Sequence, residues 1–205
     1  MVDNLRELGI KVVVVKGPKS IADVKENVKL IAKTLGEEDK GNLMIAKMDD
    51  KLAEIKEKVD NIKPEERKKL VLISLMTSYG GKGCTFDDIC QYAGVINGVS
   101  DAGLHNGQLL TKEMLVAINP DLLIMPVYND HNTFDIEKYN KEFLDDPALQ
   151  TLNAVKEKRF FYPREGYIYN SSQDIVFGVQ EVARAAYGEL FSQPENCHIS
   201  VAEIN

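Results

Sequence analysis

The sequence predicts an α/β protein: a three-layer, Rossmann-like C-terminal lobe with a parallel sheet, preceded by a long helix and a short strand-and-helix unit. Two patterns lead to this prediction. From Leu70 onward, short unbroken apolar runs alternate with helical patterns, which is typical of parallel βαβ units. Before that point, the helical pattern Asn42–Ile62 carries a single narrow apolar stripe. We therefore divide the chain into residues 1–36, 37–63 and 64–205.

The first 36 residues predict the end of a helix, a strand and a second helix. The β-branched run Ile10–Val15 favours a strand, because such side chains pack well on a pleated surface. Ser20 followed by Asp23 resembles a capping box, and apolar residues then recur at helical spacing until Gly36. We therefore expect this segment to contribute one strand and one amphipathic helix.

A longer helix is predicted over Asn42–Ile62. Its apolar residues alternate between three- and four-residue spacing, and charged residues fill most positions between them. A helix with one such stripe packs on the surface of a domain rather than running through its core. Lys63-Pro64 ends this helix. A coiled coil is the alternative, although the pattern is short for one. The stripe consists of Ile45, Met48, Leu52, Ile55, Val59 and Ile62.

Beyond this helix the pattern becomes strand, loop, helix. Leu70–Met76 is a predicted buried strand, and Leu122–Met125 is a second short apolar run bounded by turn residues. Thr111 is the predicted N-cap of the helix before that second strand, and Asn119-Pro120 ends the helix. The other predicted elements are a Gly-rich loop at Thr77–Gly83, a helix from Thr85 to Gly94, irregular helical turns within Val127–Asp146, a helix at Pro147–Lys156, a strand at Arg159–Tyr162, a helix at Ser172–Leu190 and a loose tail after Gln193.

In a parallel sheet, ligands bind beyond the carboxyl ends of the strands. Three predicted loops lie there, Ser78–Gly83, Val127–Asp130 and Arg164–Tyr167, and each contributes a tyrosine. Aromatic walls with a few polar groups suit a bulky, partly apolar small molecule, and a basic side chain could pair with its carboxylates. The alternative is that these tyrosines only cover the sheet ends. The candidate ligand-binding residues are Tyr79, Lys82, Tyr128, Arg164 and Tyr167.

No catalytic arrangement is supported by the sequence. The loop Gly80–Thr85 resembles a phosphate-binding loop, but Gly83 follows Lys82 where that motif requires Ser or Thr. There is no Gly-x-Ser-x-Gly elbow, and Cys84 has no histidine nearby in sequence that could act as its base. We therefore predict a binding protein without catalytic residues, rather than an enzyme.

Composition and charge narrow the choice of partners. The net charge is −7, which argues against nucleic acid as a ligand. The cysteines Cys84, Cys90 and Cys197 form no metal or disulfide pattern, although Cys84 and Cys90 are close enough in sequence to pair. Asp130-His131 is the one candidate pair for a metal, and we predict no metal site. Neither a membrane-spanning apolar run nor a signal peptide is recognisable.

Several stretches, taken in order, carry a resemblance to a known family. The last strand and helix of that family's N-terminal lobe resemble Leu8–Val15 and Ser20–Gly36. The single helix that bridges the family's two lobes resembles Asn42–Ile62. The C-lobe signatures are Gly83–Asn97, Glu113 with Asn119-Pro120-Asp121, and Leu152–Lys156. The family is the class of extracytoplasmic substrate-binding proteins that serve ABC importers of iron-siderophores, haem and cobalamin.

The resemblance implies a receptor that binds its ligand between two lobes and docks on the membrane subunits of a permease. It implies an extracytoplasmic location, periplasmic or lipid-anchored, and a metal chelate as ligand: a ferric siderophore, haem or cobalamin. In that family a glutamate on each lobe reaches a basic pocket of the permease, and Glu113 matches the one on the C-terminal lobe. Family members have a complete N-terminal lobe, so we expect this chain to be a truncated form holding mainly the C-terminal lobe.

A missing lobe would leave a strand edge and an apolar stripe exposed, and such surfaces invite self-association. We therefore expect a homodimer formed through residues 1–60. Two alternatives to a receptor remain open. One is the α/β lobe of a chelatase-like or nitrogenase-like enzyme subunit, for which the three cysteines are too few and wrongly spaced as cluster ligands. The other is a non-transport interaction protein that uses the long helix.

Overall fold

The computed structural model describes residues 2–75, 78–127, 134–164, 166–169 and 171–202, and it confirms the predicted α/β class. The sheet has four strands in the order β2-β1-β3-β4, and each neighbouring pair is parallel. The strands are short, and all lie close to predicted positions except Ile96–Asn97, which was not predicted. Their bounds are Lys69–Leu72 (β1), Ile96–Asn97 (β2), Leu122–Ile124 (β3) and Phe160–Phe161 (β4).

Helices cover both faces of this sheet. The helices of the described residues are Val2–Glu7 (α1), Ile21–Leu35 (α2), Glu38–Val59 (α3), Thr85–Tyr92 (α4), Gly98–Asp101 (α5), Lys112–Ile118 (α6), Ile136–Leu144 (α7), Asn153–Lys156 (α8) and Ile175–Tyr187 (α9), with 3₁₀ turns at Pro64–Glu66, Pro147–Leu149 and Gly188–Phe191. None of the described helices combines the length and the apolar character needed to cross a membrane.

The three layers follow from the alternation of side chains along β1 and β3. Leu70 and Leu72 belong to the apolar core that contains the buried faces of α3, α4 and α9. Val71 and Leu123 belong to a second core on the opposite face, which includes Leu115 of α6. Because successive strand residues point to opposite faces, these fully apolar strands must be covered on both sides, as the sequence predicts.

The long helix α3 lies on the lobe along its predicted stripe. Met48, Leu52, Ile55 and Val59 are buried in the same core as α4 and α9. Burying an aliphatic side chain of this size stabilises a fold by about 1.5–3 kcal/mol, so the stripe holds α3 firmly in place. The helix begins and ends a few residues earlier than the predicted Asn42–Ile62.

The prediction of a strand at Ile10–Val15 is wrong. Residues 10–18 lie in no helix or strand, and Val13 and Val14 are 48% and 53% exposed. The reason is that a strand exists only through hydrogen bonds to a neighbour, and the described part of the chain offers these residues none. The helix after them is as predicted, because Ser20 accepts a hydrogen bond from the backbone N–H of Asp23 at 3.1 Å.

Helix α2 is anchored to the rest of the protein at two points. The backbone N–H of Ile21 donates to the Asp88 carboxylate of α4 at 2.7 Å. Farther along, α2 crosses α3 so closely that a Cβ atom on Gly41 would lie 2.4 Å from the Cβ of Ala32. Glycine is therefore required at the crossing. The outer face of α2 is apolar and exposed at Leu30, Ile31 and Leu35.

Three further details differ from the sequence predictions. The segment with irregular turns contains a regular helix, α7, and the predicted helix Pro147–Lys156 is divided into a 3₁₀ turn and α8. The prediction of a loose tail after Gln193 is also wrong. Ile199 is 6% exposed within the main core, and its backbone N–H donates to Asp174 at 2.9 Å, so the tail is packed against α9.

Candidate functional site

The carboxyl edge of the sheet is organised by a buried polar network. The Asn97 amide donates to Asp87 at 2.9 Å and to the carbonyl of Gly80 at 2.9 Å. The other carboxylate oxygen of Asp87 accepts from the backbone N–H of Gly83 at 3.2 Å. Both side chains are buried, so every polar group here needs its partner. The network fixes the Gly-rich loop against the start of α4.

The same loop also docks on residues 104–107. The backbone N–H of Lys82 donates to the carbonyl of Leu104 at 2.9 Å, and Lys82 accepts from Asn106 at 3.0 Å. A Cβ atom on Gly81 would lie 2.7 Å from the backbone of His105, so the close approach depends on a glycine. The Lys82 side chain itself is exposed, which leaves its ammonium at the rim of the edge.

Tyr79 lies within this edge as predicted. Its hydroxyl is 3.0 Å from the Thr85 hydroxyl, and its ring centroid is 5.7 Å from that of Tyr169. Burial raises the pKa of Tyr79 to about 12, although the hydrogen bond from Thr85 acts in the opposite direction. The side chain is therefore a neutral phenol at physiological pH and offers an aromatic face with a polar end.

Helix α7 separates two concavities at this edge. The smaller one, about 60 Å³, lies among Ser74, Tyr79, Thr111 and Tyr139 together with apolar neighbours. The larger one, an open groove of about 560 Å³, is lined by Pro126, Val127, Tyr162 and one face of α7. Small-molecule sites in proteins commonly have volumes of this order. The edge therefore has room for a ligand that is mainly apolar and aromatic in its contacts.

The guanidinium of Arg164 is occupied by partners within the protein and is not free to bind a ligand in these concavities. Its side chain forms a bidentate ion pair with Glu181 of α9, at 3.2 Å from Nε to Oε1 and 3.0 Å from Nη2 to Oε2. Nη1 donates to the carbonyl of Pro194 at 2.6 Å. Its donors are thus used within the protein, which is the typical use of a buried bidentate arginine.

Tyr167 also makes internal contacts. It is 8% exposed, its hydroxyl donates to the carbonyl of Cys197 at 2.9 Å, and its ring packs against Phe177. Tyr128, the remaining candidate from the sequence, lies outside the described residues. The structure therefore brings Tyr79 and the Lys82 backbone to one edge, while Arg164 and Tyr167 fasten their loop to α9 and the tail.

Two aromatic residues at the edge were not identified as candidates from the sequence. The ring of Tyr169 packs against that of Tyr79. Burial raises the pKa of Tyr169, although its hydrogen bond with the Ser74 side chain acts in the opposite direction. Tyr139 of α7 lines the smaller concavity. The sequence carries no signal for Tyr169, because its contact with Tyr79 joins two loops that are far apart in sequence.

Glu113 is exposed in the first turn of α6. Hydrogen bonds from its own backbone N–H and from Thr111 lower the pKa of its carboxyl group, so it is ionised at neutral pH. Its neighbour Lys112 is paired with Asp146, and within the described residues Glu113 forms no ion pair. The N-terminal end of α6 therefore presents an uncompensated negative charge to solvent.

The described residues include the three cysteines and most of the potential metal-binding side chains. Cys84, Cys90 and Cys197 are free thiols, so the structure contains no Cys84–Cys90 disulfide. Burial raises the pKa of Cys84 and Cys90, which disfavours the reactive thiolate. No group of three His, Cys, Asp or Glu side chains in the described parts of the chain could hold a metal ion. The predicted pair Asp130-His131 lies outside those parts.

Comparison with known proteins agrees with this architecture. The periplasmic binding protein family model matches residues 2–165. A curated relative, the uncharacterized ABC transporter substrate-binding lipoprotein YvrC of Bacillus subtilis, is 25% identical over 198 residues, covering 94% of this chain and 59% of the relative. The chain thus spans less than two thirds of that relative's length.

Solved structures show the same fold at low identity. The periplasmic haem-binding protein RhuT of Roseiflexus sp. RS-1 superposes with a TM-score of 0.75 at 18% identity, covering 91% of this chain and 70% of the other. An ABC-type Fe³⁺-hydroxamate transport system protein of Saccharomonospora viridis gives 0.69 at 18% identity, covering 91% and 64%. On the extent of the family match, this chain belongs to the periplasmic binding protein family.

Proposed function

We propose that this chain is the ligand-binding C-terminal lobe, with its interlobe helix α3, of the solute receptor of an ABC importer for an iron chelate. Haem and ferric siderophores are the first candidates, because one structural neighbour is a haem-binding protein and another belongs to an Fe³⁺-hydroxamate transport system. Cobalamin is the third candidate. The full-length receptor acts outside the cytoplasm and performs no catalysis. An enzyme-subunit lobe is disfavoured because the three cysteines are too few and wrongly spaced to be cluster ligands.

The observation that carries this proposal is the aromatic pair at the carboxyl edge. The rings of Tyr79 and Tyr169 lie 5.7 Å apart, Tyr139 borders the same concavity as Tyr79, and all three are only partly buried. Partly buried aromatic faces around a few hydroxyl groups suit a large planar or hydrophobic chelate. Lys82 at the rim adds a positive charge for the carboxylates of such a ligand.

Docking on the permease is proposed for Glu113. Its carboxylate is ionised and exposed, and because Lys112 is occupied by Asp146, the charge is available to a basic partner surface. A helix N-terminus alone stabilises a first-turn glutamate by about 0.3–1 kcal/mol. That effect is compatible with docking, so only a transport measurement separates the two roles.

The experiment is a titration of a full-length receptor carrying this lobe with haem, ferrichrome-type ferric hydroxamate and cobalamin, followed by visible absorbance. We expect saturable binding of one chelate, and weaker binding by at least about tenfold in Tyr79→Ala, as expected when one aromatic anchor is removed. Tyr92→Ala is the matched control, because Tyr92 is 40% exposed on α4. Equal affinity in wild type and Tyr79→Ala would contradict the proposed site, and no binding of any chelate would contradict the function.

A further inference from the structure

A single carboxylate, that of Glu181, is the most heavily hydrogen-bonded side chain near the candidate site. It is completely buried in the middle of α9. Arg164 donates to it from its backbone N–H at 3.0 Å as well as from its guanidinium. Arg184 of α9 donates at 3.1 Å, and Gln193 of the tail at 3.2 Å. Three separate segments therefore meet at this one group.

The segment fixed most tightly by Glu181 is the loop that follows β4. Since both the backbone and the side chain of Arg164 bind the carboxylate, the direction in which the chain leaves β4 is set at this residue. Tyr169, on the same loop, packs its ring against Tyr79 at the carboxyl edge. The position of that ring therefore depends on how the loop is held at Arg164.

The tail completes this arrangement from the other side. The carbonyl of Pro194 accepts from Arg164 at 2.6 Å, and the carbonyl of Cys197 accepts from Tyr167 at 2.9 Å. The side chain of Gln193 links Glu181 to the carbonyl of Phe177. The loop is thus clamped between α9 and the tail, with Glu181 at the centre of the clamp.

We propose that Glu181 is a positioning residue of the ligand site: it holds the loop that presents Tyr169 to Tyr79, and it does not contact the ligand itself. This inference rests on the proposed function, because it assigns the loop to the chelate site. It also explains why Arg164 and Tyr167 are turned inward. They hold the loop in place, and Tyr169 is the member of the loop that meets the ligand.

The charge of Glu181 is what the clamp requires. All five hydrogen bonds are donated to its two oxygen atoms, so a glutamine of the same shape would place an NH₂ group against N–H donors. Removing one partner of a buried ion pair leaves the other without compensation. Glu181→Gln should therefore release the loop, whereas removal of an exposed charge should not.

The experiment compares Glu181→Gln and Arg164→Lys with the wild type. The matched control is Glu195→Gln, which makes the same charge change at an exposed tail residue. Two readouts need no ligand: near-ultraviolet circular dichroism, which reports tyrosine packing because the chain contains no tryptophan, and the rate of trypsin cleavage after residue 164. The third readout is the affinity for the chelate identified in the wild-type titration.

We expect both variants to keep the far-ultraviolet spectrum, lose part of the near-ultraviolet tyrosine signal, and be cleaved after residue 164 at least about tenfold faster, because local opening becomes easier. Chelate affinity should fall at least about fivefold, with the control unchanged throughout. Where Glu181→Gln does not fold, Arg164→Lys provides the result, since it keeps both charges and removes only the bidentate geometry.

Wild-type spectra and cleavage rates in the folded variants would overturn the proposal. A released loop with undiminished chelate affinity would also overturn it, because the loop would then lie outside the site. Failure of the wild type to bind any chelate would instead refute the proposed function, and the two ligand-free readouts would still decide whether Glu181 holds the loop.

Discussion

The substitution Ile55→Ala tests whether α3 is part of the lobe's core or only rests on its surface. Ile55 is 1% exposed, and it lies in the same apolar cluster as Ile89 of α4 and Val179 of α9. Removing three carbon atoms loses about 2.4 kcal/mol of transfer free energy, at ~0.8 kcal/mol for each. The cavity left behind adds to this, so we expect the free energy of unfolding to fall by about 3 kcal/mol, within the range of about 2–5 for such changes.

Urea unfolding followed by far-ultraviolet circular dichroism measures this loss. For a chain of this size the thermal midpoint should fall by about 6–12 °C. Leu35→Ala is the matched control, because Leu35 is 70% exposed on α2, and it should change stability by no more than about 0.5 kcal/mol. Equal, small losses in the two variants would refute the packing described for α3.

Three further predictions address docking, pH and self-association. In a full-length receptor carrying this lobe, Glu113→Ala should leave chelate affinity unchanged and reduce transport, and unchanged transport would restrict Glu113 to a helix-dipole role. Burial raises the pKa of Glu181, but its hydrogen bonds and ion pairs with Arg164 and Arg184 outweigh this effect, so that the pKa is lowered overall. The difference in free energy of unfolding between wild type and Glu181→Gln should therefore be constant above about pH 5 and shrink as the pH falls through the lowered pKa. The exposed residues Val13 and Val14 should make the chain dimerise at micromolar concentration, with Val14→Lys shifting the light-scattering mass toward one chain; a one-chain mass for the wild type would contradict this.

The sheet and the long helix were predictable from the sequence because their signals are local. The apolar run Leu122–Met125 is buried throughout. Four residues of the predicted α3 stripe are buried in the core, whereas Ile45 is only partly buried and is not part of it. Both patterns depend only on the period of side-chain exposure, which a sequence displays directly. The capping residues Ser20 and Thr111 were likewise found, since each bonds to a backbone N–H three residues ahead.

The errors concern features that depend on distant partners. Ile10–Val15 has strong strand propensity, but propensity does not supply a neighbouring strand. The tail after Gln193 is polar enough to suggest disorder, yet Lys47 of α3 donates to the carbonyl of Ser200 at 2.6 Å. Such a contact links two residues far apart in the chain and produces no periodic pattern in the sequence.

In the candidate site, too, the features set by local sequence were predictable, and those that depend on distant partners were not. The position of Tyr79 at the sheet edge was predictable because it lies in the loop after a predicted strand, and its role in ligand binding stays a prediction. The role of Arg164 could not be predicted, because an arginine in such a loop is equally suited to a ligand carboxylate and to an internal one. Glu181 stands in an otherwise apolar helix face. Arg184, three residues later on the same helix, was the one ion-pair partner visible in the local sequence, whereas Arg164 and Gln193 belong to other segments and could not be predicted.

Hydrogen exchange of a full-length receptor carrying this lobe, with and without bound chelate, tests the central claim most directly. The carboxyl-edge site predicts slower exchange in residues 78–83, 166–169 and α7, where the two concavities and the Tyr79–Tyr169 pair lie. Exchange in α3 should be unaffected, because its stripe is already buried in the core. Protection confined to α1, α2 or the far end of the sheet, with no change around Tyr79 and Tyr169, would contradict the claim.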